Sequence, residues 1–268
     1  MNIYRIIDLP EDLQHLYFLC LEDWSKEMSE VEVYKKKWFE KMKNRGLCVK
    51  IALDSRDVPG GMIQYYPIEY SPAEGKDLYF IRCIWVHGYK KGRGNFQKKG
   101  MGTALLNSAE QDIQQKGASG IACWGLSMPF WMPASWYQKH GYKKTDEQDG
   151  MILMWKPLRD SADPPRWRIP DKSLYLKTES GRLTVTGLTQ GACPAMNLVF
   201  DRAKRACMEI GGEVEFKAVD TSEPEAVAKW GTTDALFIDG REIRTGPPPS
   251  YKRIKRMIVN NLHKSKKK

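Results

Sequence analysis

The chain has 268 residues, 41% of them hydrophobic, enough for one large domain or two ordinary ones with their own cores. Its net charge of +10 is unevenly placed: residues 1–158 carry +3, residues 159–251 carry −1, and residues 252–268 carry +8 with no acid among them. The nearly neutral body argues against a nucleic-acid surface built into the fold, and no apolar run approaches the roughly 20 residues of a membrane span.

The first half opens on a strand pattern, Ile3 to Ile7. A helix is expected next, with Asp8 as N-cap, Glu11 behind it, and Leu13, Leu16, Tyr17, Cys20 and Leu21 as its apolar stripe. Ser29 and Glu32 read as the capping box of a second helix carrying Tyr34, Trp38 and Met42 on one face and stopping at Asn44-Arg45-Gly46. Strands are predicted over 48–53, 61–66 and 78–86. A Gly-rich loop over 88–100 leads into a helix over 101–116 with Leu105, Leu106, Ala109 and Ile113 inward. A strand over 120–125, a short helix over 135–139 and a strand over 151–155 complete this half. The order is β-α-α-β-β-β-α-β-α-β, an α+β layout on a mixed, mostly antiparallel sheet.

Three prolines among charges, from Arg159 to Pro170, read as a stiff, non-helical linker. The organisation expected is a first domain over 1–158, a Pro-rich linker over 159–173, a second domain over 174–262 and a basic tail over 263–268. In the second half, strands are predicted over 182–186 and 213–219. A helix runs from Pro194 to about Glu209 and ends at Gly211-Gly212, and a short helix spans 224–230. A hairpin turns at Asp239-Gly240, and a last helix carries Ile254, Ile258 and Leu262. The order is β-α-β-α-β-β-α.

Cys20, Cys48, Cys83, Cys123, Cys193 and Cys207 form no CxxC pair and no zinc spacing, so no metal is expected and most should be buried free thiols. The N-terminus lacks the layout of a signal peptide, and the expected compartment is the cytoplasm.

One run carries chemistry. In Gln97-Lys98-Lys99-Gly100-Met101-Gly102, two glycines without Cβ atoms let backbone approach a ligand, and the following helix offers unpaired N–H groups and a positive dipole end. Together these suit a pyrophosphate, with Lys90, Lys91, Arg93, Lys98 and Lys99 adding positive charge. The run resembles the Gln/Arg-x-x-Gly-x-Gly/Ala motif of the Gcn5-related N-acetyltransferase (GNAT) family. About thirty residues on, Ala134-Ser135-Trp136-Tyr137-Gln138-Lys139-His140-Gly141-Tyr142 resembles that family's Ala-x-x-Phe-Tyr-x-x-x-Gly-Phe signature. The resemblance covers roughly residues 1–158 and implies an acyltransferase using acetyl-CoA as co-substrate and an amine as acceptor; it leaves room for a homodimer.

By that resemblance, backbone at Ile84, Trp85 and Val86 would hold the pantetheine and polarise the thioester carbonyl. Gln97, Lys98, Lys99, Gly100, Met101, Gly102 and Thr103 would bind the pyrophosphate, and Tyr137 would protonate the leaving thiolate. Two positions depart from the family. Trp131 stands where many members have Asn, and the strand over 78–86 has no carboxylate, leaving His87 as the candidate base. Trp124, Phe130, Trp131 and Trp136 are candidates for an acceptor pocket or for core packing, and Arg82 for pairing an acceptor carboxylate or facing solvent.

The second half resembles the thioredoxin fold, with Cys193-Pro194-Ala195-Met196 at a strand-to-helix junction where a thiol is activated, and from about Trp230 it resembles a YoaP-like segment. Gln190 stands where a partner cysteine would be, and Thr232-Thr233 where a cis-proline would be. Dithiol exchange is therefore not expected. The alternative to the acetyltransferase reading is a thiol-dependent redox or binding protein in which the first domain only holds CoA and Cys193 carries the function.

Overall fold

The computed structural model describes residues 4–128, 131–175 and 182–265; Ile3, Phe130 and Lys266 to Lys268, named above, lie outside that set. The chain divides into two compact units, Met1–Lys26 with Phe39–Arg168, and Glu27–Trp38 with Ile169–Lys268.

The first unit runs β1 (Arg5–Asp8), α1 (Gln14–Phe18), part of α2 (Lys26–Met42), β2 (Cys48–Leu53) and β3 (Pro59–Pro67). Then come β4 (Ala73–Glu74), β5 (Leu78–Val86), α3 (Met101–Gln115), β6 (Gly120–Leu126), α4 (Ala134–Lys139), β7 (Lys143–Gln148), β8 (Met151–Pro157) and β9 (Arg166–Trp167). Seven of these strands make one sheet in the order β1-β2-β3-β5-β6-β8-β7. Every neighbouring pair is antiparallel except β5 with β6.

Helix α3 packs on this sheet because Met101, Leu105, Leu106, Ala109 and Ile113 recur at helical spacing; they lie in one core with Ile63, Ile81 and Ile121. Full burial of each larger side chain is worth roughly 1.5–3 kcal/mol.

The feature that shapes the sheet is an irregularity in β5. Gln64 pairs with Cys83 and Tyr65 with Ile81, so Arg82 is the extra residue of a bulge in β5. Such a bulge bends its strand. Pairing of β5 with β6 ends at the neighbouring Ile81, opposite Cys123, although both strands continue. Past Arg82 the sheet opens.

Several expectations change. Asp8 is not a helix cap: it ends β1, and its carboxylate takes the Lys50 ammonium at 2.6 Å. The first helical turn is a 3-10 turn over Glu11–Leu13 capped by Pro10, and Cys20 and Leu21 fall beyond α1 with positive φ. Ser29 is not a cap either, since α2 starts at Lys26 and Ser29 lies in its first turn. The proline-rich stretch is not simply linker. Arg166–Trp167 pairs with β4, Trp167 is buried, and Arg166 bonds Glu74; Lys172–Tyr175 is a 3-10 turn. All six cysteines are free, but only Cys123 and Cys207 are fully buried.

The second unit holds β10 (Leu183–Thr189), α5 (Pro194–Ile210), β11 (Val214–Asp220), α6 (Pro224–Trp230), β12 (Ala235–Ile238), β13 (Arg241–Glu242) and α7 (Tyr251–Ser265), so residues 263–265 of the expected tail are helical. The sheet order is β11-β10-β12-β13, with β10 and β11 parallel and the other pairs antiparallel. Asp239 and Gly240, both at positive φ, make the two-residue turn of the β12–β13 hairpin. Ile254, Ile258 and Leu262 of α7 are buried with Val199, Ala203 and Leu236.

Candidate active site

The opening between β5 and β6 brings most of the sequence candidates together. The backbone orientation follows from alternation along the strand. The N–H of His87 donates to Gly60 O on the β3 side, so Trp85 also faces β3, and Ile84 and Val86 direct their N–H and C=O groups into the opening. Two carbonyls at the opening are already engaged. The Trp124 indole donates to Arg82 O at 2.8 Å, and the Gln97 amide to Val86 O at 3.1 Å. The N–H groups of Ile84 and Val86 point into the same opening. Of the three candidates on this strand, Trp85 contributes through its side chain alone, whose buried indole N–H has no partner among the described residues.

The Gly-rich loop is folded back onto this strand end. Phe96 N–H donates to His87 O, and the Phe96 ring lies on Gly60 where any Cβ would collide. A Cβ on Gly88 would stand 2.4 Å from the Gln97 amide nitrogen, so the Gln97 side chain would have to move. Tyr4 donates its hydroxyl proton to Lys99 O at 2.8 Å, holding the loop's far side. Gly100 caps α3 in the left-handed region, φ 89°, with no side chain capping the helix. The first turn therefore begins Met101-Gly102-Thr103 with its N–H groups unclaimed by the helix itself. A Cβ on Gly102 would lie 3.6 Å from the Trp136 ring and 3.8 Å from Val86, so this backbone lines a narrow space between the end of β5 and α4.

The nearby charges are fewer than the sequence suggested. Arg93 pairs with Asp23 at 2.9 Å, Lys91 lies over the Trp24 ring, and Lys99 donates to Asn95 O. Lys90 and Lys98 are exposed.

Tyr137 sits on α4 and is completely buried, yet its hydroxyl has no hydrogen-bond partner among the described residues. Burial pushes its pKa well up, and the thiols of Cys123 on β6 and Cys83 on β5 raise it further. An unpartnered buried hydroxyl costs about 1–3 kcal/mol. With the opening beside β5 and the glycine-lined helix start, it fits a thioester-bearing ligand with a pyrophosphate.

His87 does not fit the role of base. It is fully buried; Nδ1 meets Gly94 O at 2.7 Å and Nε2 accepts the Trp24 indole proton at 3.2 Å. The two ring nitrogens thus tie Gly94 of the loop to Trp24. Trp131 is exposed and packs edge-on against Trp124, while α4 is capped at Pro133 without any side-chain bond. Cys193 is the N-cap residue of α5 in the second unit.

Two groups were not visible in the sequence. Glu22 follows the left-handed pair Cys20 and Leu21, and stands two residues before Trp24. Its half-buried carboxyl has no ion pair among the described residues, and burial pushes its pKa up. It can hold an ammonium ion or take a proton from one. His140 links α4 to α3: Nδ1 lies 2.8 Å from Trp136 O and Nε2 3.0 Å from the Thr103 hydroxyl. Neither position has a local sequence signal, because both depend on contacts made in space.

Residues 9–142 match the acetyltransferase (GNAT) family. The chain is 25% identical over 248 residues to an uncharacterized N-acetyltransferase, YoaP, of Bacillus subtilis (strain 168), covering 88% of this chain and 91% of that protein. Among solved structures it is similar to the PaiA N-acetyltransferase of Thermoplasma acidophilum in complex with coenzyme A (TM-score 0.43, 18% identity, 58% of this chain and 99% of that one). It is also similar to an aminoglycoside 6'-acetyltransferase type Ii (TM-score 0.43, 21% identity, 60% and 99%). Because the matched stretch is half of the chain and spans both the phosphate-type loop and the buried tyrosine, the protein belongs to the acetyltransferase (GNAT) family and is an acyltransferase.

Proposed function

We propose that the protein is an acetyl-CoA-dependent N-acetyltransferase that moves an acetyl group directly to the amine of a small molecule. The buried hydroxyl of Tyr137 carries this reading, since it has no hydrogen-bond partner among the described residues and burial holds its proton on. Acetyl-CoA supplies the activated acetyl group. The N–H groups of Ile84 and Val86 hold the acyl and pantetheine end and polarise the thioester carbonyl. The first turn of α3, over Met101, Gly102 and Thr103, receives the pyrophosphate, with Gln97, Lys98, Lys99 and Gly100 forming its approach.

As the amine nitrogen attacks, the C–S bond breaks and Tyr137 gives its proton to the departing sulfur. Burial keeps the phenol protonated until then. The transfer remains favourable because the thiolate forms in the same dry surroundings. Glu22, two residues before Trp24, is the group assigned to take the proton that the amine loses, and the rings of Trp24, Trp85 and Tyr89, which pack on one another, form a wall for the acceptor. His87 acts as a structural tie. The free thiols support a cytoplasmic setting.

We also read residues 174–262 as a thioredoxin-like domain with a YoaP-like end. The order β11-β10-β12-β13, with only β10 and β11 parallel, supports that reading.

The test is thiol release from acetyl-CoA across a panel of amines, with the acetylated product identified by mass. No release and no CoA binding would remove the proposal; release that survives Tyr137→Phe unchanged would remove the role of Tyr137.

A further inference from the structure

We propose that His140 is a positioning residue whose protonation state sets the direction of the Thr103 hydroxyl proton, and through it the grip of α3 on a pyrophosphate. This rests on the reading of α3 given under the proposed function. The assignment of protons follows from what each partner can do. Trp136 O, 2.8 Å from Nδ1, can only accept, so Nδ1 carries a hydrogen whatever the charge of the ring. In neutral His140 the other nitrogen, Nε2, is then a bare lone pair, and at 3.0 Å it takes the proton of Thr103 Oγ1. Thr103 is the third residue of α3, in the turn whose N–H groups face outward. While its proton is turned inward, its oxygen presents lone pairs to an anion.

Protonation of Nε2 reverses the bond. The imidazolium donates to Oγ1, and the hydroxyl proton is released to point at a phosphate oxygen. A lone pair facing the anion is replaced by a donor, and the proton comes from solvent. The other groups against His140 do not duplicate this switch. Lys156 from β8 donates to His140 O, but it is neutralised by Glu110 of α3 at 2.7 Å; the Trp136 ring covers the imidazole face at 4.3 Å between centroids. Lys139, the preceding residue, is exposed.

The experiment is calorimetric titration of the full chain with dephospho-CoA between about pH 5 and 8. Dephospho-CoA keeps the pyrophosphate and lacks the phosphate monoester that would itself titrate near pH 6. Wild type should bind about tenfold more tightly at the acid end, the scale of one hydrogen bond to a charged group. Thr103→Ser should keep that slope, and Thr103→Val should flatten it while binding remains. In the ligand-free protein, imidazole nitrogen chemical shifts should show neutral His140 protonated at Nδ1.

A slope unchanged in Thr103→Val, a flat wild-type profile, or a neutral ring protonated at Nε2 would each overturn this inference alone. Absence of dephospho-CoA binding at every pH would overturn the pyrophosphate reading with it. Thermal melts of both variants show whether a flattened slope comes from folded protein.

Discussion

Each unit contains a strand that runs through a turn into a long helix, β5 into α3 and β10 into α5, and the two junctions are finished in opposite ways. At α3 the cap is Gly100 with no side chain returning to the helix, and the approach is exposed lysines. At α5 the cap is Cys193, and Pro194 at the first position removes one donor outright. Buried Asn197 donates to Gly191 O at 2.9 Å and accepts from Thr189 at 3.1 Å, while Thr189 in turn accepts from Gly191 N–H. A Cβ on Gly191 would collide with Tyr34 O at 2.9 Å. Neither helix start has a side-chain cap bond, but at α5 a proline and a tightly bonded loop stand where α3 has an exposed glycine and lysines. A reactive residue type such as cysteine at a strand-to-helix junction does not by itself make a site.

The strongest break of this contrast is at Tyr137. If its hydroxyl is held for the leaving group, Tyr137→Phe should lower kcat by about 10²–10⁴-fold, with KM for acetyl-CoA nearly constant. Stability should not fall, since the hydroxyl has no partner to lose; a gain of up to about 1 kcal/mol is expected in thermal melts. A loss of stability would mean that the hydroxyl is bonded inside the protein. Cys193→Ala should leave thiol release unchanged.

Next in size is a matched pair of substitutions at the two helix starts. Gly102→Val would put branched carbon between Val86 and Trp136. It should weaken dephospho-CoA at least about tenfold with little change in melting, since the position meets only ordinary contacts. Asn197→Ala should do the reverse. It strips the partners of Gly191 O and Thr189 and should cost about 1–3 kcal/mol of stability, leaving ligand affinity intact. If Asn197→Ala weakens the ligand as much as Gly102→Val does, the distinction between the two junctions fails.

Much of the open junction was legible in the sequence. The residues 97–102 and 134–142 carry local patterns, and α3 and β5 have periodicities strong enough to give their bounds to within a residue. What was not legible is the way the site is assembled. The opening comes from a single extra residue, Arg82, whose only signature is its register against β3. The edge strand β7, Lys143–Gln148, has no apolar face because it lies at the sheet margin, so alternation could not reveal it. The pair β4–β9 is two residues long and its strands lie far apart in sequence. The caps read at Asp8 and Ser29 had the right residue types, but an ion pair with Lys50 claimed one and an earlier helix start the other. His87 looked like a base because its residue type titrates near neutrality; the two bonds that occupy it depend on Trp24 and Gly94, which no spacing rule joins to it.

The smallest expected effect tests whether the open character extends to the acceptor side. Burial raises the pKa of Glu22 in the folded protein above its unfolded value. Below the unfolded value, about 4.3, the carboxyl is protonated in both states and the folded protein has its full stability. As pH rises through the higher folded value, the folded state must carry a half-buried carboxylate and that stability is lost. Glu22→Gln removes the penalty, so it should melt slightly above wild type at pH 7, with the gap closing as pH falls toward 4. The same substitution should raise KM for a cationic amine while leaving dephospho-CoA affinity unchanged, because Glu22 belongs to the acceptor side alone. A Gln variant that melts level with or below wild type at pH 7 would mean that the carboxylate is already compensated. The acceptor side would then be finished in the manner of α5, and the base would have to be sought elsewhere.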